Sequence, residues 1–273
     1  FLKCIEKSQP NSMILIPQLL EALVHAASQG WEPPDSLRFV AIGGGKVSNL
    51  LLDKAQQYGL PVFQGYGISE CASVVSLNLP GQNRSGSVGK PLLHNKVKID
   101  NGEIIIVGEQ FLGYSGGTNH QNTDSFHTGD LGYLDTEGYL YISGRKKNLI
   151  ISSFGRNISP EWLESELSTI PEVLQCIVFG EAKPYCTALI YSPPDADKRI
   201  IAEAIERINL TLPDYARLQS WHQLKFPFSP ESGAMTGNGR LRRDVIEENY
   251  SEQINALYSA QPVTFNPGSA AEQ

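Results

Sequence analysis

Residues 37–67 read LRFVAIGGGKVSNLLLDKAQQYGLPVFQGYG, and the order of signals in them decides the fold. Residues 37–42 are a short apolar run that ends in Gly43-Gly44-Gly45, the pattern of a buried strand entering a glycine turn. Val47, Leu50, Leu51, Ala55 and Tyr58 then fall on one side of a helix, and Gly59 suits its end. Residues 61–64 return to a strand that ends at Gly65-Tyr66-Gly67. Strand, helix and strand with short joints form a parallel α/β unit.

Working outward, residues 12–30 read as a helix, with Pro17 in its first turn and Gly30 at its stop. Downstream the pattern changes. Residues 96–100 and 103–107 flank Asn101-Gly102, a strong hairpin signal. Residues 131–135 and 139–143 make a second hairpin around Thr136-Glu137-Gly138. Past Gly144 come a strand at 148–152 and a helix capped by Ser159 with Pro160 and Glu161 in its first turn. Strands at 173–179 and 187–191, a helix over about 195–209 and a last helix over about 242–258 complete the order. The residues after Gln261 suit a frayed tail. The expected class is α/β. Residues 1–144 would form one large portion (1–85 parallel α/β, 86–144 β-rich), and residues 145–273 a small α+β C-terminal domain with its own core.

The 273 residues carry 22 Lys and Arg against 29 Asp and Glu, a net charge of −7 that argues against a broad grip on nucleic acid. With 41% hydrophobic and 19% charged residues, general disorder is excluded. The longest apolar stretch, residues 13–20, is interrupted by Pro17 and far too short for a transmembrane segment. Cys4, Cys71, Cys176 and Cys186 suit neither a zinc site nor a disulfide framework. They read as small buried hydrophobes in a reducing, cytoplasmic compartment. The chain opens Phe-Leu-Lys, and the reading is that it begins inside a longer protein.

Four clusters place glycine beside polar groups at strand ends, where open α/β sheets bind ligands. Gly43-Gly44-Gly45-Lys46 offers a flat backbone wall, or only a tight turn. Gln64-Gly65-Tyr66-Gly67-Ile68-Ser69-Glu70 offers a ring face, a hydroxyl and a carboxylate able to hold a divalent metal, or a turn with Ser69 capping a helix. His127-Thr128-Gly129-Asp130-Leu131 offers a carboxylate for a pair of ribose hydroxyls, or an Asp turn. Arg145 and Arg156 flank one strand and suit a phosphate, or they belong to solvated basic turns.

In order and spacing these clusters resemble the core motifs of the adenylate-forming superfamily of acyl-CoA synthetases, peptide-synthetase adenylation domains and luciferases. Tyr66-Gly67-Ile68-Ser69-Glu70 resembles YGxTE, with Ser in place of Thr. Gly86-Ser87-Val88-Gly89-Lys90-Pro91 resembles GSVGxP, and Gly102-Glu103-Ile104 through Gly113-Tyr114 resembles GEL…GY. His127 to Leu131 resembles YxTGDL, and Gly144-Arg145-Lys146-Lys147 resembles the GRxK/D hinge motif. Residues 235–243 align with the C-terminal motif, and residues 147–157 are most similar to the long-chain acyl-CoA synthetase branch.

The resemblance implies ATP-dependent conversion of a carboxylic acid, a fatty acid by its branch, to acyl-AMP. Transfer to coenzyme A would follow. An alternative sends the acyl group to a carrier-protein thiol, and another is a non-catalytic nucleotide- or acyl-binding homologue. It further implies that Gly43, Gly44 and Gly45 line the adenine and acyl pocket, within a nucleotide site that also takes in Gln64, Gly65 and Gly67. Tyr66 would stack on adenine, Ser69 would contact the α-phosphate and Glu70 would hold Mg2+. Asp130 would take the ribose hydroxyls, Arg145 the ribose or phosphate, and Arg156 the phosphate. The loop 153–155 would border the pantetheine path, and the small domain would be mobile about Lys147. Two departures stand out. Arg240 occupies the place of the family's catalytic lysine, so adenylation is expected to be slow or rearranged. No segment matches the family's Ser/Thr/Gly-rich phosphate loop, so this polypeptide alone is not expected to turn over ATP.

Overall fold

The computed structural model describes residues 1–108, 111, 125–237 and 239–259. Gly113, Tyr114, Asn238 and the tail after Gln261 lie outside the described residues. Two compact units divide the chain, Phe1–Asn148 and Leu149–Gln273. The division falls slightly after the expected Gly144/Arg145 boundary, because Arg145 ends a strand and pairs with Asp130.

The first unit opens with α1 (Leu2–Ser8), β1 (Ser12–Leu15), α2 (Pro17–Ser28), β2 (Phe39–Ile42), α3 (Asn49–Gln57) and β3 (Val62–Tyr66). β1, β2 and β3 pair in parallel; the short strand β4 (Ser76–Leu77) extends the sheet antiparallel to β3, and β5 (Lys90–Pro91) pairs antiparallel to β4. Leu20, Leu23, Val40, Ile42 and Ala55 seal α2 and α3 against it. Burial of such side chains is the chief favourable term, roughly 1.5–3 kcal/mol each. Residues 12–15 are therefore a strand and not the start of a helix. Pro17 occupies the first helical turn, and the ring of a proline drives its predecessor out of the helical region; Ile16 sits at φ −93°, ψ 161°.

β6 (Lys96–Asp100), β7 (Glu103–Val107), β8 (Phe126–Leu134) and β9 (Leu140–Arg145) form a four-stranded antiparallel sheet. Asn101 (φ 48°) and Gly102 (φ 81°) make the turn expected of Asn-Gly. Ile104, Ile106 and Leu140 of this sheet share one core with Cys71, Val75 and Val88. That core fixes the β-rich sheet against the end of the parallel one.

The second unit holds the paired strands β10 (Ile150–Ile151) and β11 (Asn157–Ile158), then α4 (Pro160–Leu167). A sheet of β12 (Gln175–Phe179), β13 (Cys186–Tyr191) and β14 (Leu218–Leu224) follows, with α5 (Lys198–Thr211) as the crossover from β13 to the parallel β14. α6 (Arg243–Asn249) and α7 (Ser251–Ser259) stand where one final helix was expected, broken at Tyr250, whose ring meets Phe228 edge-on. The Ser159 hydroxyl bonds Glu161 and makes no backbone cap. Cys71, Cys176 and Cys186 are buried as expected, whereas Cys4 is exposed on α1. Among the described residues no helix is long and apolar enough to cross a membrane.

Glycines in the Tyr66 motif are fixed by packing. A Cβ on Gly67 would stand 1.6 Å from the Ser73 carbonyl oxygen, and one on Gly65 2.7 Å from a Leu77 methyl. Backbone cannot yield as a side chain can. Gly67→Ala is expected to destabilise the first unit by about 2 kcal/mol or more, read as a lower midpoint in denaturant unfolding.

Candidate functional site

β7 and β8 fall out of step beside the His127–Leu131 segment. Glu103 pairs with Leu131 and Ile105 with His127, so β8 carries extra residues between them. Thr128, Gly129 and Asp130 stand opposite Ile104 alone, a bulge made possible by Gly129 at φ 69°. A bulge frees backbone donors from the ladder, and here side chains satisfy them. Gly129 N–H donates to Glu103 Oε1 at 3.0 Å, and Asp130 N–H to Thr128 Oγ1 at 3.0 Å. Thr128 in turn donates to the Ile104 carbonyl at 2.7 Å.

The bulge aims Asp130 inward, where it is 3% exposed. Register places Arg145 of β9 directly opposite, and its Nε lies 2.7 Å from Asp130 Oδ1. From the end of β3 the Tyr66 hydroxyl donates to Oδ2 at 2.6 Å. Burial, then the Asp130 charge, raises the Tyr66 pKa, so the phenol stays a neutral donor. A carboxylate is the acceptor type that suits two neighbouring hydroxyls. Thr128, Gly129, Arg145, Lys146 and Lys147 line a depression of about 310 Å³ alongside. Three cations on its wall suit an anion such as phosphate.

The other candidates divide. Gly43 lies beside Gly65, whose carbonyl would be 3.4 Å from an added Cβ, so the two glycine turns are neighbours at adjoining strand ends. Gly44 takes φ 84°, and a Cβ on Gly45 would touch Pro17. Gln64 lines a different depression, of about 410 Å³, with Asn78 and Arg84; its Oε1 is buried without a hydrogen-bond partner among the described residues. Ser69 is exposed and Glu70 half-buried in one 3-10 turn. No group of three metal-ligating side chains exists among the described residues. Glu70 therefore fits Mg2+ only as a cation completed by phosphate oxygens and water, which is how Mg2+ is commonly held.

Arg156 and Arg240 belong to the second unit, and both are exposed. Ser152 closes the loop before Arg156, whose guanidinium lies 5.7 Å from the Tyr215 ring centre. Arg240 ends a tight turn in which the Thr236 hydroxyl accepts its N–H at 3.0 Å. Sequence reasoning gave Glu103, Thr128 and Lys146 no role of their own. The available signal was an acidic residue just after Asn101-Gly102 and a hydroxyl two residues before Asp130.

An α/β frame with a buried carboxylate, a phenol and a basic depression at its strand ends is the arrangement of a protein class that places anionic ligands at strand ends. The sequence pattern of AMP-binding enzymes matches residues 1–114, and that of the AMP-binding enzyme C-terminal domain matches residues 147–262. The chain belongs to this adenylate-forming family. It is 32% identical over 233 residues to the long-chain-fatty-acid–CoA ligase FadD15 of Mycobacterium bovis, covering 74% of this chain and 39% of the relative. With the 2-succinylbenzoate–CoA ligase of Bacillus subtilis it shares 38% over 164 residues, 54% of this chain and 34% of the relative. The solved O-succinylbenzoate CoA synthetase (MenE) of Bacillus subtilis in complex with AMP superposes with a TM-score of 0.70 at 28% identity, over 89% of this chain and 52% of that one. The chain thus spans well under two thirds of the length of these relatives.

Arg145→Met removes the cation paired with the Asp130 charge in a buried place. The expected loss is about 2 kcal/mol of stability at neutral pH. Denaturant unfolding of both proteins at neutral pH checks this.

Proposed function

We propose that this chain is the nucleotide-holding and C-terminal part of an AMP-forming acid–thiol ligase, which joins a carboxylic acid to AMP and then to the thiol of coenzyme A. The observation that carries the reading is Asp130, held between Tyr66 and Arg145 beside the basic depression, within the family's TGDL pattern. Asp130 would accept the two ribose hydroxyls. Arg145 would meet the ribose or α-phosphate, and Tyr66 would present its ring to adenine while its hydroxyl keeps Asp130 in place. Ser69 would contact the α-phosphate. Fixed cations around phosphorus stabilise the charge that gathers there during adenylation. Mg2+, when bound, neutralises phosphate charge, and Glu70 is the carboxylate placed to help hold it. Four free thiols fit a reducing, cytoplasmic setting.

Similarity to FadD15 supports a fatty acid as substrate. Similarity to 2-succinylbenzoate–CoA ligases supports an aromatic dicarboxylic acid as a second reading. The family's phosphate loop has no counterpart in this sequence, so the chain would hold acyl-AMP without making it.

Calorimetric titration with non-hydrolysable acyl-sulfamoyl adenosines tests this, using a dodecanoyl and a succinylbenzoyl analogue. The dodecanoyl analogue is expected to bind more tightly than AMP and than the aromatic analogue. Preference for the aromatic one selects the second reading, and binding of neither contradicts the proposal. Pyrophosphate exchange into ATP by the purified chain is expected at background; exchange at a full-length ligase's rate contradicts that part.

A further inference from the structure

Glu103 is 9% exposed, and its two oxygens serve different neighbours. Oε1 accepts the Gly129 N–H at 3.0 Å. Oε2 accepts from Lys146 Nζ at 3.0 Å, with His127 Nδ1 3.7 Å away. Gly129 immediately precedes Asp130, and Lys146 immediately follows Arg145. One carboxylate thus bonds the backbone N–H of the residue before Asp130 and the side-chain ammonium of the residue after Arg145.

We infer that Glu103 is a positioning residue for the nucleotide site, holding Asp130 and Arg145 in register so that a cis-diol meets oxygens already aimed at it. The inference rests on the reading that Asp130 takes the ribose hydroxyls. Glu103 itself touches no ribose. Its action follows from the bulge. Gly129 has no Cβ and adopts a positive φ, so nothing in its own side chain keeps that conformation. A charged acceptor on its N–H supplies the restraint, and charge-assisted bonds are about twice as strong as neutral ones. Lys146 closes the other side. Its hydrogen bond is the main cause that holds the Glu103 carboxyl below the usual carboxylate range, so the brace is ionised at neutral pH.

The test titrates AMP and 2′,3′-dideoxy-AMP calorimetrically into the intact chain and into Glu103→Gln and Glu103→Asp. The unaltered chain is expected to prefer AMP. Glu103→Gln is expected to lose roughly tenfold in affinity for AMP and nothing for the dideoxy analogue. Glu103→Asp, which keeps the charge one methylene short, is expected to show the same selective loss, smaller in size. Equal weakening of both ligands, or no weakening of either, overturns the positioning role. An unaltered chain that does not distinguish the ligands overturns the ribose reading itself, and does so before any substitution. Should Glu103→Gln fail to fold, Glu103→Asp decides alone, since it keeps a charged acceptor at that place.

Discussion

A buried carboxylate with a donor on each oxygen is the constraint on which the candidate site depends. Asp130 is enclosed, and an enclosed charge is tolerated only when it is paired and hydrogen-bonded. Tyr66 and Arg145 meet that demand from two different sheets. The Tyr66–Asp130 bond therefore joins the parallel strands to the antiparallel sheet that carries the Asp130–Arg145 pair. Structure and proposed chemistry share a single group, which is why removal of either partner is expected to register first as lost stability.

The bulge in β8 explains how an ordinary sheet delivers such a group. A regular ladder would alternate side chains and commit every N–H to a neighbouring strand. Extra residues at Thr128–Asp130 break the alternation and turn the Asp130 side chain toward Tyr66. The cost is backbone donors left outside the ladder. Thr128 and Glu103 satisfy them with oxygen acceptors, so the distortion is stabilised by its own surroundings.

Much of this frame is legible in the residues. Asn101-Gly102 specifies its hairpin because few residues accept left-handed conformations at consecutive positions. The strand–turn–helix–strand order of residues 37–67 is local and equally plain. Residues 12–15 were obscured because a continuous apolar run before a helix has no periodicity of its own, and pairing with β2 decides the matter. β14 was missed for a related reason. Its sequence, LQSWHQL, is largely polar, and its place beside β13 comes from the α5 crossover. Within the site, Tyr66, Asp130 and Arg145 were each legible from residue type and motif. Their joining was not, since hydrogen bonds between strands remote in sequence leave no local trace. At Gly67 the Ser73 carbonyl already requires a glycine, a long-range packing demand that leaves no local trace in the sequence.

The most direct test of the account is the crystal structure of this chain grown with AMP. The account predicts both ribose hydroxyls within about 3 Å of the Asp130 carboxylate oxygens, with the phosphate toward Arg145. A nucleotide seated in the depression beside Gln64 and Arg84, or an Asp130 still closed off by Tyr66 and Arg145 with AMP bound elsewhere, would contradict it.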